Sequence, residues 1–92
     1  MNAYITVDLT PTDTDQLSTY SALAAATLVP FGGEFIAKGP IHSLHGSTNF
    51  QTKVLIQFPD RESAENWYHS EEYQKLIPTR DRGMESQFHL LG

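Results

Sequence analysis

KVLIQFPDRESAENWYHSEEYQKL, residues 53–76, changes its period in the middle. From Lys53 to Phe58 the residues Val54, Ile56 and Phe58 alternate with Lys53, Leu55 and Gln57, and a period of two places the first three on one face of a strand. Leu55 is the apolar residue left on the other face. Pro59 has no amide to give the ladder and ends the strand, and Asp60 is placed to cap a helix by accepting from the amides two or three residues on. Ala64, Trp67 and Tyr68 then fall on one helical stripe. Ser70 repeats the capping pattern for a short turn that carries Tyr73 and Leu76 as far as Pro78.

Working outward toward the start of the chain, residues 41–51 are rich in Gly, Ser, Thr, His and Asn and read as a loop. Glu34 to Lys38 reads as a short strand ending at Gly39-Pro40. Before it, Leu17, Tyr20, Leu23 with Ala24, and Thr27 or Leu28 recur every three to four residues and predict a helix. Asp13 and Gln16 have the spacing of a capping box, while Pro30 and Gly32-Gly33 supply the stop. In the first segment Ala3, Ile5, Val7 and Leu9 alternate with Tyr4, Thr6 and Asp8, the pattern of a strand buried on one side. In the other direction, Met84 to Leu91 is read as the last strand.

Strand, helix, two strands, helix, strand is the ferredoxin-like βαββαβ order of an α+β fold, with both helices on one face of a four-stranded antiparallel sheet. No repeat, low-complexity tract or linker interrupts it, so residues 1–92 are read as one domain. The uncovered face carries Leu55, Tyr4 and Ile36 among Thr6, Lys53 and Gln57, too apolar a set to meet only water. The expected partner is therefore a second copy, packed sheet to sheet in a homodimer. Length points the same way, since a chain of 92 residues alone buries only roughly 60–65% of its unfolded surface.

Composition excludes several classes of function. Eleven acidic residues against six basic ones leave a net charge of −5, and the basic residues are spread from Lys38 to Arg82. Neither a phosphate backbone nor an anionic membrane is an expected partner. The absence of cysteine removes disulfides, thiolate metal sites and a Cys nucleophile. Met1-Asn2-Ala3-Tyr4 does not begin a secretory leader and no apolar run approaches the roughly 20 residues of a membrane span, so a cytoplasmic location is expected. Nucleotide-binding glycine patterns, a His-Glu-x-x-His helix and a Ser-His-Asp order are all missing.

Several runs also carry a resemblance. Tyr4-Ile5-Thr6-Val7-Asp8, Phe31-Gly32-Gly33-Glu34-Phe35 with Lys38-Gly39, Phe58-Pro59-Asp60-Arg61-Glu62, Trp67 to Gln74 and Pro78-Thr79-Arg80 together resemble the family known as domain of unknown function 1330. The most specific part is Trp67-Tyr68, Ser70 and Glu72-Tyr73-Gln74. The resemblance implies a dimeric α+β barrel in which two ferredoxin-like sheets pack face to face, and it implies no established reaction. Where the family has Gly-Gly-Arg and then Arg-Gly-Gly, this chain has Gly32-Gly33-Glu34 and Lys38-Gly39-Pro40, so those arginines are not carried over. Similar barrels include cofactor-free oxygenases, haem-degrading enzymes and dye-decolourising peroxidases, a likeness of fold only.

The residues with chemistry to offer are aromatic. Tyr20, Trp67, Tyr68 and Tyr73 are expected either to line a pocket between helices and sheet or simply to fill the core. Asp8 and Arg80 are the polar residues expected to converge on that pocket, by pairing with each other or by orienting a small aromatic or carboxylate ligand. His42 and His45 lack companions at metal-ligand spacing and His69 and His89 stand alone, so neither a metal nor another cofactor is expected. Two readings remain open: a small-molecule site for binding or cofactor-independent catalysis, and a non-catalytic dimeric interaction module. No catalytic residue is identified.

Overall fold

The computed structural model describes residues 1–92. Strand β1 (Ala3–Pro11) is followed by α1 (Thr14–Leu28), β2 (Glu34–Pro40), β3 (Thr52–Phe58), α2 (Arg61–Tyr68), the short α3 (Glu71–Gln74) and α4 (Ile77–Gly83), and β4 (Met84–Leu91). The sheet has the order β2-β3-β1-β4 and every neighbouring pair is antiparallel, which is the ferredoxin-like topology of an α+β fold. Val7 lies opposite Val54 and Ile5 opposite Ile56, so the two alternating patterns join on one face. That face and the helices enclose the core, in which Phe58 and Tyr73 are 0% exposed and Trp67 is 1% exposed.

Local chemistry sets the helix ends. The Asp13 carboxylate accepts from the amides of Asp15 and Gln16 at 3.1 and 3.2 Å. Gln16 does not close the capping box. Its Oε1 instead accepts from Arg82 Nε at 3.4 Å, linking α1 to α4. Asp60 accepts from the Ser63 amide at 2.7 Å, and hydrogen bonding by the Ser63 amide and side chain holds its carboxyl below the usual range. After α1 a single 3₁₀ turn, Val29–Phe31, passes Gly32 at φ 69°, a left-handed conformation for which glycine has no steric penalty.

Two expectations about the helices are corrected. Leu23 does not share the inward stripe: it is 49% exposed, and the buried positions are Tyr20, Ala24 and Leu28, four residues apart. Pro78 does not stop the helical region but opens α4, because the first turn of a helix needs no amide from that position. Arg80 is therefore held on a helix, and its amide donates to the Leu76 carbonyl at 2.8 Å.

The end of α4 determines where α1 rests. The amides of Thr12 and Asp13 donate to the Gly83 carbonyl at 2.9 and 3.2 Å, and a Cβ at Gly83 would lie 2.7 Å from the Leu17 amide nitrogen. Only glycine admits so close a backbone approach. As a result α1 makes its principal contacts with α4, whereas α2 packs directly on β1, β3 and β4. A gap is left between α1 and the sheet.

The strand β2 is irregular. Phe35 lies opposite Ile56 and Lys38 opposite Val54, with a register shift between Phe35 and Ala37 that makes Ile36 an inserted residue. On the outer face of the sheet Tyr4 lies opposite Gln57, Thr6 opposite Leu55 and Asp8 opposite Lys53. Tyr4 and Leu55 are half-buried there, while Ile36 and Leu91 are 44% and 62% exposed.

Candidate functional site

Tyr20 from α1, Tyr68 from α2, Tyr73 from α3 and Arg80 from α4 meet in one hydrogen-bonded group. The hydroxyls of Tyr20 and Tyr73 are 2.7 Å apart, and Arg80 Nη1 donates to the Tyr68 hydroxyl at 3.0 Å and the Tyr73 hydroxyl at 3.2 Å. Arg80 Nε donates to Asp81 Oδ1 at 3.0 Å, and the guanidinium lies 4.9 Å from the centre of the Phe88 ring. Trp67 packs against this group, its ring centre 4.2 Å from that of Tyr73, and its indole nitrogen donates to Thr27 Oγ1 at 2.9 Å.

Burial pushes the Tyr20 hydroxyl far above the ordinary phenol range, and the neighbouring Tyr73 adds to the effect. Burial raises Tyr73 as well, against the opposing hydrogen bonds from Tyr20 and Arg80. Burial works against the charge of Arg80, but its bonds to Tyr68, Tyr73 and Asp81 outweigh that and hold it above its ordinary value. At neutral pH Arg80 is thus a fixed cation, and the Tyr20 and Tyr73 phenols beside it stay protonated. The group can donate hydrogen bonds and order its surroundings, and it offers no general base.

On the other side of Tyr20 and Trp67 lies a cleft of about 340 Å³, filling the gap between α1 and the sheet. Val7, Leu9, Val54 and Ile56 form its floor, Tyr20, Ser21 and Ala24 of α1 its roof, and Trp67, Met84 and Phe88 close it at the back. Eleven of its fifteen lining residues are hydrophobic; Ser21, Lys38 and Thr52 are among the polar ones, and no Asp or Glu lines it.

Of the residues singled out in the sequence, Tyr20 and Trp67 line this cleft. Tyr68, Tyr73 and Arg80 stand behind its wall, joined to it through Tyr20 and Phe88. Asp8 is elsewhere. Its neighbours Val7 and Leu9 face the core, so Asp8 points to the outer face, where Oδ1 lies 3.2 Å from Lys53 Nζ and Oδ2 accepts from Gln87 Nε2 at 2.9 Å. The expected convergence of Asp8 with Arg80 is thus corrected: the sheet separates them, and the carboxylate beside Arg80 is Asp81. Burial pulls the Asp8 carboxyl upward, but Gln87 and Lys53 outweigh it and leave it below the usual range.

The histidines do not join the cleft. His42 and His45 are exposed in the loop after β2, and His69 and His89 border a separate hollow of about 300 Å³ between α2 and β4. No three His, Asp or Glu side chains come together as a metal-binding group. Sequence reasoning missed Lys38, Ser21 and Thr52. Lys38 could not be found by alternation, because a regular strand from Phe35 would have turned it to the outer face.

The family model for domain of unknown function 1330 matches residues 2–92. Among solved structures, a protein of unknown function from Rhodopseudomonas palustris superposes with a TM-score of 0.80 at 12% identity, covering 98% of this chain and 80% of that one. SnoaB, a cofactor-independent oxygenase from Streptomyces nogalater, gives 0.69 at 12% identity with 99% and 91% covered. A dimeric ferredoxin-like protein of unknown function from Jannaschia sp. CCS1 gives 0.67 at 15% identity with 100% and 99% covered. No curated protein matches the sequence.

Proposed function

We propose that this chain, which belongs to the domain of unknown function 1330 family, is a one-domain homodimeric protein that takes a small molecule into the cleft under α1, for binding or cofactor-independent catalysis. The cleft itself carries the reading. Its volume of about 340 Å³ falls within the roughly 300–1,000 Å³ of small-molecule sites, and its apolar lining with a few polar groups has their usual character. The description of the Streptomyces neighbour as a cofactor-independent oxygenase supports the catalytic version, at the level of fold analogy. A small aromatic or carboxylate compound suits the walls formed by Tyr20, Trp67 and Phe88. In this reading Tyr68, Tyr73 and Arg80 are positioning residues that hold Tyr20 in place. No helix is long and apolar enough to cross a membrane, and we place the activity in the cytoplasm.

Thermal-shift screening with small aromatic carboxylates tests the cleft. A ligand at 100 times its dissociation constant stabilises by about 2.7 kcal/mol, which is roughly 10–20 °C in a domain of this size. Ser21→Trp, which fills the cleft from α1, is expected to remove that shift. A panel that shifts neither protein would overturn the reading and leave the chain as a non-catalytic interaction module, with the phenol and guanidinium group serving only as core.

The dimer is proposed through the outer face, where Tyr4, Ile36, Leu55 and Leu91 leave apolar surface without a cover. The description of the Jannaschia neighbour as dimeric supports it. Sedimentation at micromolar concentration is expected to give a two-chain species, and Leu55→Glu to convert it to one chain, because two carboxylates would be buried across the twofold. A dimer that survives Leu55→Glu unchanged would put the contact elsewhere.

A further inference from the structure

We infer that Lys38 is the anion anchor of the cleft, and that the ligand is an amphipathic carboxylate with its apolar body under α1 and its charged end at β2. The inference rests on the reading that the cleft takes a small molecule. It names the polarity of that molecule and the residue that selects it.

The bulge in β2 is the first observation. Phe35 and Lys38 are three residues apart, a separation that sends side chains of a regular strand to opposite faces. Here both line the cleft, because the register shift between Phe35 and Ala37 inserts Ile36 and reverses the phase of everything after it. Without the bulge, Lys38 would stand on the outer face. Such insertions re-aim side chains, and this one sets Lys38, itself exposed, at the rim of an apolar cleft where the pattern of the strand would have kept it out.

Charge is the second. Lys53, Arg61 and Arg80 each lie within 4 Å of a carboxylate, of Asp8, Glu65 and Asp81 respectively, whereas Lys38, like Lys75 and Arg82, has no acidic partner. It is the one cation lining the cleft, and no Asp or Glu lines it with Lys38. In a chain of net charge −5 the field at most surfaces repels anions, so a cleft with one cation and no carboxylate is a local exception. A cationic ligand would find no counter-charge there, and a wholly apolar one would have to leave the ammonium in water. A carboxylate satisfies both walls and charge. Ser21 and Thr52, which also line the cleft, are hydroxyl donors available to its second oxygen.

The bland alternative is a lysine whose methylenes cover apolar surface while its ammonium stays solvated. Calorimetry with three probes of one skeleton separates the two: 4-phenylbutyrate, 4-phenylbutanol and 4-phenylbutylamine. Wild type is expected to bind the acid about tenfold or more tighter than the alcohol, the range of a charge-assisted hydrogen bond. Lys38→Met, which keeps the length of the stem, should bring the acid down to the level of the alcohol and leave the alcohol unchanged. Lys38→Glu should turn the preference toward the amine. If wild type binds acid and alcohol equally, or Lys38→Met binds the acid as wild type does, the lysine is not the anchor, although the cleft remains a ligand site. If none of the three probes binds wild type, the cleft reading fails and the anchor fails with it.

Discussion

Trp67→Ala is expected to lower stability by about 3–5 kcal/mol, the range for removing a large aromatic from a core. Trp67 is 1% exposed and lies within 6.1 Å, ring centre to ring centre, of Phe58, Tyr68 and Tyr73. Its indole N–H also satisfies Thr27 Oγ1, which in turn donates to the Ala24 carbonyl at 2.7 Å. Relaxation cannot recover much of the loss. Trp67 already forms one wall of the cleft, so its removal would enlarge an existing space that α1, propped on α4 through Gly83, is not free to close. The cost should therefore fall toward the upper end of the range, and for a chain whose total stability is about 5–15 kcal/mol that is a large share. Because Trp67 is the sole tryptophan, denaturation is best followed by far-ultraviolet circular dichroism. Trp67→Phe, which keeps a ring in place, is expected to lose about 1–2 kcal/mol. A loss below about 1 kcal/mol in the alanine variant would contradict the packing described here.

Much of this arrangement could be read from the chain. The alternation of Ile5 and Val7 and of Val54 and Ile56 is a one-residue property, and the pairing of β1 with β3 only had to join two patterns already written. The capping side chains of Asp13, Asp60 and Ser70 each accept a backbone amide, because an N-cap is decided within three residues. What escaped was set between segments. The bulge at Ile36 belongs to the pairing of β2 with β3, so no count along β2 could show it, and with it went Lys38. Pro78 is compatible with a helix start or a helix stop, and only the packing of α4 on α1 distinguishes them. Asp8 is a different case. Its alternation with Val7 and Leu9 already assigned it to the outer face, and the attraction of a salt bridge to Arg80 obscured a conclusion that the period of two contained.

The fold brings Tyr20, Trp67, Tyr68 and Tyr73 together from three helices, yet spacing along the chain could not say which side of the group would be open. Tyr20, Tyr73, Arg80 and Tyr68 bond to one another closely enough to leave no room for a guest between them. The space is on the far side of Tyr20, where α1 leans on α4 instead of on the sheet. The network thus makes a rigid back wall, and the position of Tyr20 at the cleft depends on its bond to Tyr73.

Tyr73→Phe tests that dependence, and it is expected to cost about 2–3 kcal/mol for the loss of one oxygen. The hydroxyl of Tyr73 bonds Tyr20 at 2.7 Å and accepts from Arg80 at 3.2 Å, and both phenol rings are buried. Its removal leaves the Tyr20 hydroxyl with no partner in the interior, whereas Arg80 keeps Tyr68 and Asp81. Tyr20→Phe combined with Tyr73→Phe should then cost less than the sum of the single changes by about 0.5–3 kcal/mol, since the second change removes a group already unsatisfied. Alkaline pH gives an independent readout. Both phenols are held protonated above the ordinary value of about 10, so the folded state keeps protons that the unfolded state releases. Their contribution is complete below pH 10 and is lost as pH rises toward the folded values, with a slope of about 1.4 kcal/mol per unit for each tyrosine. Tyr73→Phe should be less stable than wild type at neutral pH and should lose stability less steeply above pH 10, because one of the two titrating phenols is gone. A variant that matches wild type both in stability and in its alkaline slope would show that Tyr73 packs as a phenyl ring alone, and that Tyr20 is held at the cleft by α1 without it.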